Sequence, residues 1–221
     1  MISGPPFDRR TPGQRAGLTA EIVVAEAKRL MTDDGLDRVT MRALSARLGV
    51  APNAVYSYFR DKSALLDGLL DGVIGEVHAS GLDSIGWREG LLELMGRSRR
   101  VLLEHADLLP QLLSRPTRGP NAIRLGEATL ELLSRAGVHG EQAVEALRIL
   151  LVYTFGFVAL EAPRRADPEP EMRSAASAAA FRAAARSSRM AELAQTLASP
   201  STEKTFETGL NWLLDGIVAA R

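Results

Sequence analysis

With 221 residues, 46% of them hydrophobic, the chain is long enough for one large or two small domains around a substantial core. It has no cysteine, which excludes disulfides, zinc–thiolate sites and cysteine nucleophiles and suits a reducing, cytoplasmic setting. The net charge is zero, yet residues 1–66 hold ten Lys/Arg against seven Asp/Glu while residues 67–221 hold 17 against 20; the basic excess sits at the N-terminal end, where a dimer would double it.

Residues 1–18 carry Gly, Pro, Arg9, Arg10 and Arg15 without periodicity. They are expected to form a flexible arm that either touches phosphate or the minor groove or only aids solubility. A first helix starts at the N-cap Thr19 and runs to about residue 33, with Gly35 as its stop. A second follows the N-cap Thr40 and ends at Leu48, before a tight turn at Gly49. A third spans about 52–58, with Pro52 in its first turn. Asp61 caps a fourth, expected to continue to about residue 81. Further helices are expected near 84–104, 107–114, 120–136, 140–161, 175–197 and 202–220, with a mobile loop over the Pro- and charge-rich 162–174. No alternating β-branched run appears, so the fold class is all-α. The expected domains are the arm, a helix-turn-helix domain over 19–66 and an effector-binding and dimerisation domain over 67–221. No apolar run approaches the ~18 residues of a membrane span, and the N-terminus lacks an apolar signal core. Neither a membrane partner nor a secretory route is expected.

The functional content of residues 40–62 lies on the outside. Leu44, Leu48, Val50 and Val55 are spaced to fill a small core, whereas the third helix presents Asn53, Ser57 and Tyr58 in place of an ordinary Glu/Lys surface. Small polar and aromatic groups beside basic residues suit major-groove reading. Thr40 can turn its hydroxyl and the helix N-terminus toward a phosphate. Arg42 has the reach for a guanine edge, or is simply solvated. Asn53 can bond adenine bidentately. Tyr56 has a half-buried ring with its hydroxyl out, Phe59 is read as core, and Lys62 is placed for a backbone phosphate.

The stretch GLDRVTMRALSARLGVAPNAVYSYFRDKSALLDGLL resembles the DNA-binding domain of the tetracycline-repressor (TetR) family. The shared features are the capping Thr, the Leu-Gly-Val turn, the Y-x-Y-F recognition helix and the following D-K-x-x-L-L. WREGLLELMGRSRRVLLEHADLLPQLLSRPTRGPNAIRL, ILLVYTFGFVALE and FETGLNWLLDGI resemble the regulatory domain of the tetracycline-repressor-type branch. The resemblance implies a homodimeric repressor, whose recognition helices enter successive major grooves of a palindromic double-stranded DNA operator. Family DNA contacts carry over to Thr40, Arg42, Tyr56, Tyr58 and Lys62, and less directly to Ala51, Asn53, Ala54 and Ser57.

The resemblance also places an effector within the bundle that begins near residue 84. His105 and Asn121 are the expected polar contacts, with Arg99 nearby and Met95, Leu102, Leu109, Leu125, Thr154, Phe155 and Val158 as wall. A Leu/Met stripe at helical spacing is equally a plain core. His78, His105 and His139 form no His/carboxylate pair on an apolar face, so no metal or cofactor is expected; the ligand is read as hydrophobic or amphipathic, its identity unknown. For dimerisation, Leu147, Leu151 and Phe157 on one helix and Phe206, Leu210, Leu213, Leu214 and Ile217 on another are the expected four-helix interface. A helical enzyme or carrier is the rival class, and no Ser/His/Asp, paired-carboxylate or P-loop constellation supports it. A DNA-binding dimer without an effector is the third.

Overall fold

The computed structural model describes residues 17–115, 117–165, 168–199 and 202–220; the expected arm, with Arg9, Arg10 and Arg15, lies outside them except for Gly17 and Leu18. Among the described residues every regular element is helical. They form two compact units, one of residues up to Glu76 together with Pro110–Arg124, the other of Val77–Leu109 together with Leu125–Arg221. This departs from the expected boundary at residue 66. The whole fourth helix belongs to the first unit, and a later segment returns to it.

In the first unit, α1 (Ala20–Asp34) starts where the Thr19 hydroxyl accepts from Ile22 N–H at 3.3 Å, and buries Val23, Ala27, Leu30 and Met31. Gly35, at φ 87°, ends it. Two short helices follow, α2 (Met41–Arg47) and α3 (Pro52–Tyr56), turned by Gly49 at φ 64°. Then α4 (Lys62–Ile74) leaves from its cap Asp61. Val23, Leu44, Val55, Leu65 and Leu69 are fully buried and form the centre. Arg47 ties α2 to α1 through Glu26 (2.7 Å) and Asp33 (2.8 Å). The fourth helix stops seven residues short of expectation. Gly68, Gly72 and Gly75 lower its helix propensity. Beyond it, the carbonyls of His78 and Ser80 accept from Arg97 at 2.6 and 3.0 Å instead of continuing a helical ladder.

In the second unit, α5 (Trp87–Glu104) and α12 (Glu203–Ala219) pack with α8 (Gly140–Arg165). The C-terminal half of α7 (Pro120–Arg135) adds Leu132 and Leu133 to a core with Leu91, Leu94, Met95, Leu150, Phe206, Leu210 and Leu214. Short α6 (Leu109–Ser114) precedes α7 in the chain. The loop expected over 162–174 is largely helix, because α8 runs through Pro163 to Arg165 and α9 (Pro170–Ala184) starts at a proline. The single helix expected over 175–197 is broken into α9, α10 (Ser188–Glu192) and α11 (Ala194–Ala198), with Ser187 capping a new turn by accepting from Met190 N–H. These three pack on one another. Helix α8 is long and apolar enough to cross a membrane, with a window of mean hydropathy 1.8, although charges interrupt its sequence.

One ion pair crosses this core. Arg99 on α5 donates twice to Glu161 on α8, at 2.8 and 2.6 Å, with side chains 2% and 5% exposed. The guanidinium also lies against the rings of Phe157 and Phe206, 5.9 and 5.5 Å from their centroids. Removing one partner strands a buried charge. Glu161→Ala is expected to destabilise the protein by about 3–5 kcal/mol in urea unfolding, whereas Arg99→Met with Glu161→Leu costs far less, because both charges leave together.

Candidate functional site

Thr40 is the exposed N-cap of α2; its hydroxyl oxygen accepts from Ala43 N–H at 3.1 Å, which leaves the proton to be donated outward. Arg42 and Lys62 are exposed in the first turns of α2 and α4, and neither has an ion-pair partner among the described residues. Asn53 and Ala51 are exposed at the start of α3, and Tyr56 is half exposed at its end. Ser57 is exposed but donates to the Ala54 carbonyl at 2.6 Å, so only its acceptor lone pairs face out. The site is therefore a shallow polar face, with two cations and one hydroxyl flanking an amide and a phenol.

Two expected contacts turn inward. Ala54 is 7% exposed and belongs to the core between α2 and α3, so its methyl is not available to a thymine. Tyr58 donates its hydroxyl to the Leu18 carbonyl, 40 residues away. A phosphate only accepts, so a phenol whose proton is already given cannot serve one. Tyr58 fastens the end of the recognition segment to the start of α1. Phe59 is buried as read, and Gly68 makes room for it, since a Cβ there would lie 2.7 Å from its ring.

The cap that aims Lys62 is electrostatic. Asp61 accepts from Ala64 N–H at 2.8 Å, and this bond, ahead of the Arg60 charge, holds its carboxyl below the ordinary 3.8.

The expected effector residues divide. Met95, Leu102, Leu109, Thr154 and Val158 are buried, with the Thr154 hydroxyl donating to the Leu150 carbonyl at 2.8 Å and touching Met95 Sδ at 3.5 Å. Leu125 and Phe155 are half-buried, and His105 ends α5. The five buried ones read as core rather than as the wall of an open pocket. Arg99 does line a cavity of about 360 Å³, with Leu92, Phe206, Glu203 and Glu207, but its guanidinium is engaged by Glu161. Asn121 leaves the group altogether. It lies in the first unit, where it donates to Asp71 on α4.

Of the expected dimer contacts, Phe206, Leu210 and Leu214 are fully buried in their own unit, which corrects their assignment to a partner-facing surface. Leu147, Leu151, Phe157, Leu213 and Ile217 are half-buried. The exposed apolar positions on these helices are instead Val144, Ile149, Val152, Leu160 and Trp212, the last 73% exposed beside a groove of about 700 Å³ along Tyr153, Phe157, Thr208 and Gly209.

Sequence reasoning missed Asp71, Asp67 and Arg115, which with Arg118 line a cavity of about 530 Å³ in the first unit. The available signal was the repeated Asp-Gly of LLDGLLDG, carboxylates set four apart in a leucine-rich helix.

Known proteins match this architecture. Residues 23–69 fit the model of the tetR family of bacterial regulatory proteins, and residues 81–221 that of the tetracyclin repressor-like C-terminal domain. An HTH-type transcriptional regulator of Saccharopolyspora erythraea is 32% identical over 158 residues, covering 72% of this chain and 67% of its own. The class C tetracycline repressor protein of Escherichia coli is 28% identical over 206 residues, covering 92% of each chain. The structure of the TetR-family protein ActR from Streptomyces coelicolor, in complex with actinorhodin, superposes with a TM-score of 0.82 at 25% identity, over 92% of this chain and 96% of that one. The chain belongs to the TetR family of transcriptional regulators, with an N-terminal helix-turn-helix DNA-binding domain.

Two outcomes follow from the hydrogen bonds above. Because the folded pKa of Asp61 is depressed, its cap stabilises above the ordinary 3.8 and is lost as pH falls through the lower folded value. Thermal unfolding of Asp61→Asn against the wild type should show a constant difference at neutral pH that changes only on the acid side of 3.8. Tyr58→Phe should lose about 1 kcal/mol of stability while leaving the salt dependence of DNA binding unchanged.

Proposed function

We propose that the protein is a ligand-responsive transcriptional repressor that binds a palindromic double-stranded DNA operator as a homodimer and is released by a small hydrophobic or amphipathic effector. The observation that carries the reading is the outer face of α2–α4. Thr40, Arg42, Asn53, Tyr56 and Lys62 stand exposed there on three helices whose inner faces are closed. Asn53 and Arg42 supply base-edge chemistry, Thr40 and Lys62 supply phosphate chemistry, and Ser57 accepts from exocyclic amines.

One such head covers half an operator, and two must stand ~34–36 Å apart to meet successive grooves. The exposed stripe of Ile149, Val152, Leu160 and Trp212 supports pairing through α8 and α12. ActR bound to actinorhodin and the tetracycline repressors support a small-molecule effector. The tight burial of Met95, Thr154 and Val158 favours a second reading, a DNA-binding dimer that no compound releases.

Selection from random duplex DNA, followed by fluorescence anisotropy across salt concentrations, tests the reading. It should return a palindrome; Lys62→Ala should weaken binding across sequences and reduce the salt slope by about 1, and Arg42→Ala should relax specificity at one base position; selection of no sequence overturns it. A compound screen for release of that duplex separates the two readings. Trp212→Glu should shift the protein from dimer to monomer in analytical ultracentrifugation.

A further inference from the structure

We infer that Ser63 and Arg115 form a second phosphate-binding point of the reading head beside Lys62, so that the DNA backbone is also gripped by a residue from outside the helix-turn-helix sequence. The inference rests on the DNA-binding reading above and adds two contact residues to it.

Charge first draws attention to this segment. Up to Glu76, the described residues of the first unit hold nine Asp/Glu against seven Lys/Arg, an unfavourable balance for a surface that meets phosphates. Residues 110–124 belong to the same unit, although Val77–Leu109 separates them from it in sequence. They hold Arg115, Arg118 and Arg124 and no acidic residue. The returning segment therefore reverses the balance.

Arg115 is set against the first two turns of α4. Its Nη1 donates to Ser63 Oγ at 2.7 Å and to Asp67 Oδ1 at 3.1 Å. A guanidinium carries five N–H donors in a planar fork. The proton on Nε and the two on Nη2 have no partner among the described residues. Ser63 is exposed and directly follows Lys62. Its oxygen accepts from Arg115, which leaves its own proton to be donated. An ammonium, a hydroxyl and half of a guanidinium fork thus stand side by side at the start of α4, all of them donors. A phosphate only accepts, and the Arg fork matches it bidentately. Lys62 and Arg115 are therefore assigned to neighbouring phosphates, with Ser63 between them.

The pair with Asp67 has side chains 32% and 61% exposed. An ion pair so exposed adds little to stability. Its effect is to orient Arg115, and it leaves a carboxylate beside the bound phosphate. Arg118 provides the contrast. It adjoins Gly119, where a Cβ would overlap the Asp71 carboxyl group, and Asp71 lies about 14 Å along α4 from Lys62. The same segment therefore carries one arginine at the head and another well away from it.

Fluorescence anisotropy of the full-length protein on the selected duplex, across salt concentrations, tests this. Arg115→Ala should weaken binding on every sequence and lower the salt slope by about 1, and Arg115→Ala with Lys62→Ala should lower it by about 2. Ser63→Ala removes a neutral donor, so it should weaken binding with the slope unchanged. Asp67→Asn should bind more tightly than the wild type, a change that loss of folding cannot produce. Arg118→Ala should keep the wild-type slope. If Lys62→Ala lowers the slope but Arg115→Ala does not, or if Arg118→Ala lowers it as much as Arg115→Ala, the second point is overturned and the DNA-binding reading stands. A wild type that binds no duplex overturns both.

Discussion

Helices of seven and five residues do not persist in water, because nucleating a first turn costs more than so few hydrogen bonds return. The reading head contains two such helices, α2 and α3. They exist because α1 and α4 close over them, burying Val23, Leu44, Val55, Leu65 and Leu69 completely. At about 1.5–3 kcal/mol for each fully buried aliphatic side chain, this small core outweighs the poor propensity of its parts. The consequence is functional. With stability supplied from the inside, the outer face is free to carry Asn53, Tyr56 and Arg42. Tyr58 and Ser57 belong to the supporting side, since their hydroxyl protons are given to the Leu18 and Ala54 carbonyls.

Among the described residues charge is buried at two points, and each joins helices distant in sequence. Arg99 and Glu161 join α5 to α8, and Asp71 joins α4 to the start of α7. Buried ionic groups are poor sources of net stability, because desolvation offsets most of their attraction. Their effect is selectivity among arrangements: a leucine contact tolerates a small sliding of two helices, whereas a carboxylate held by several donors does not.

Around the Arg99–Glu161 pair and Phe206, the rest of the second unit's core is mostly aliphatic, with Thr154 satisfied by its own helix. A ligand entering there would have to part buried side chains, and part of its binding energy would go into opening the site. A site opened among Met95, Leu102 and Val158, which are buried, would favour an apolar body over a polar one. Arg99 stands at the edge of this region with its charge already matched, which makes it a poor anchor for an anionic ligand.

Periodicity and end signals were sufficient for most of the helices and for the turn at Gly49. Thr19, Thr40 and Asp61 cap the helices they were expected to cap, and Val55 and Phe59 are core as their spacing required. Membership of the TetR family was equally legible, because the residues from Thr40 to Lys62 form a local pattern. Local patterns state which face of a helix is apolar, and they are silent about which neighbour covers it. For that reason Phe206, Leu210 and Leu214 read as an interface but are core, Ala54 read as a contact but is buried, and Asn121 read as a pocket residue but caps its own helix end with Asp71. Where α4 ends and where residues 110–124 belong were likewise decided by partners far away in sequence, the Arg97 guanidinium and the Asp71 carboxylate. The sequence by itself determined most of the helices, the caps at Thr19, Thr40 and Asp61, and most of the polar face of the reading head. Only the tertiary structure decided which faces are left for DNA, ligand or a second copy, because burial is a property of two surfaces together.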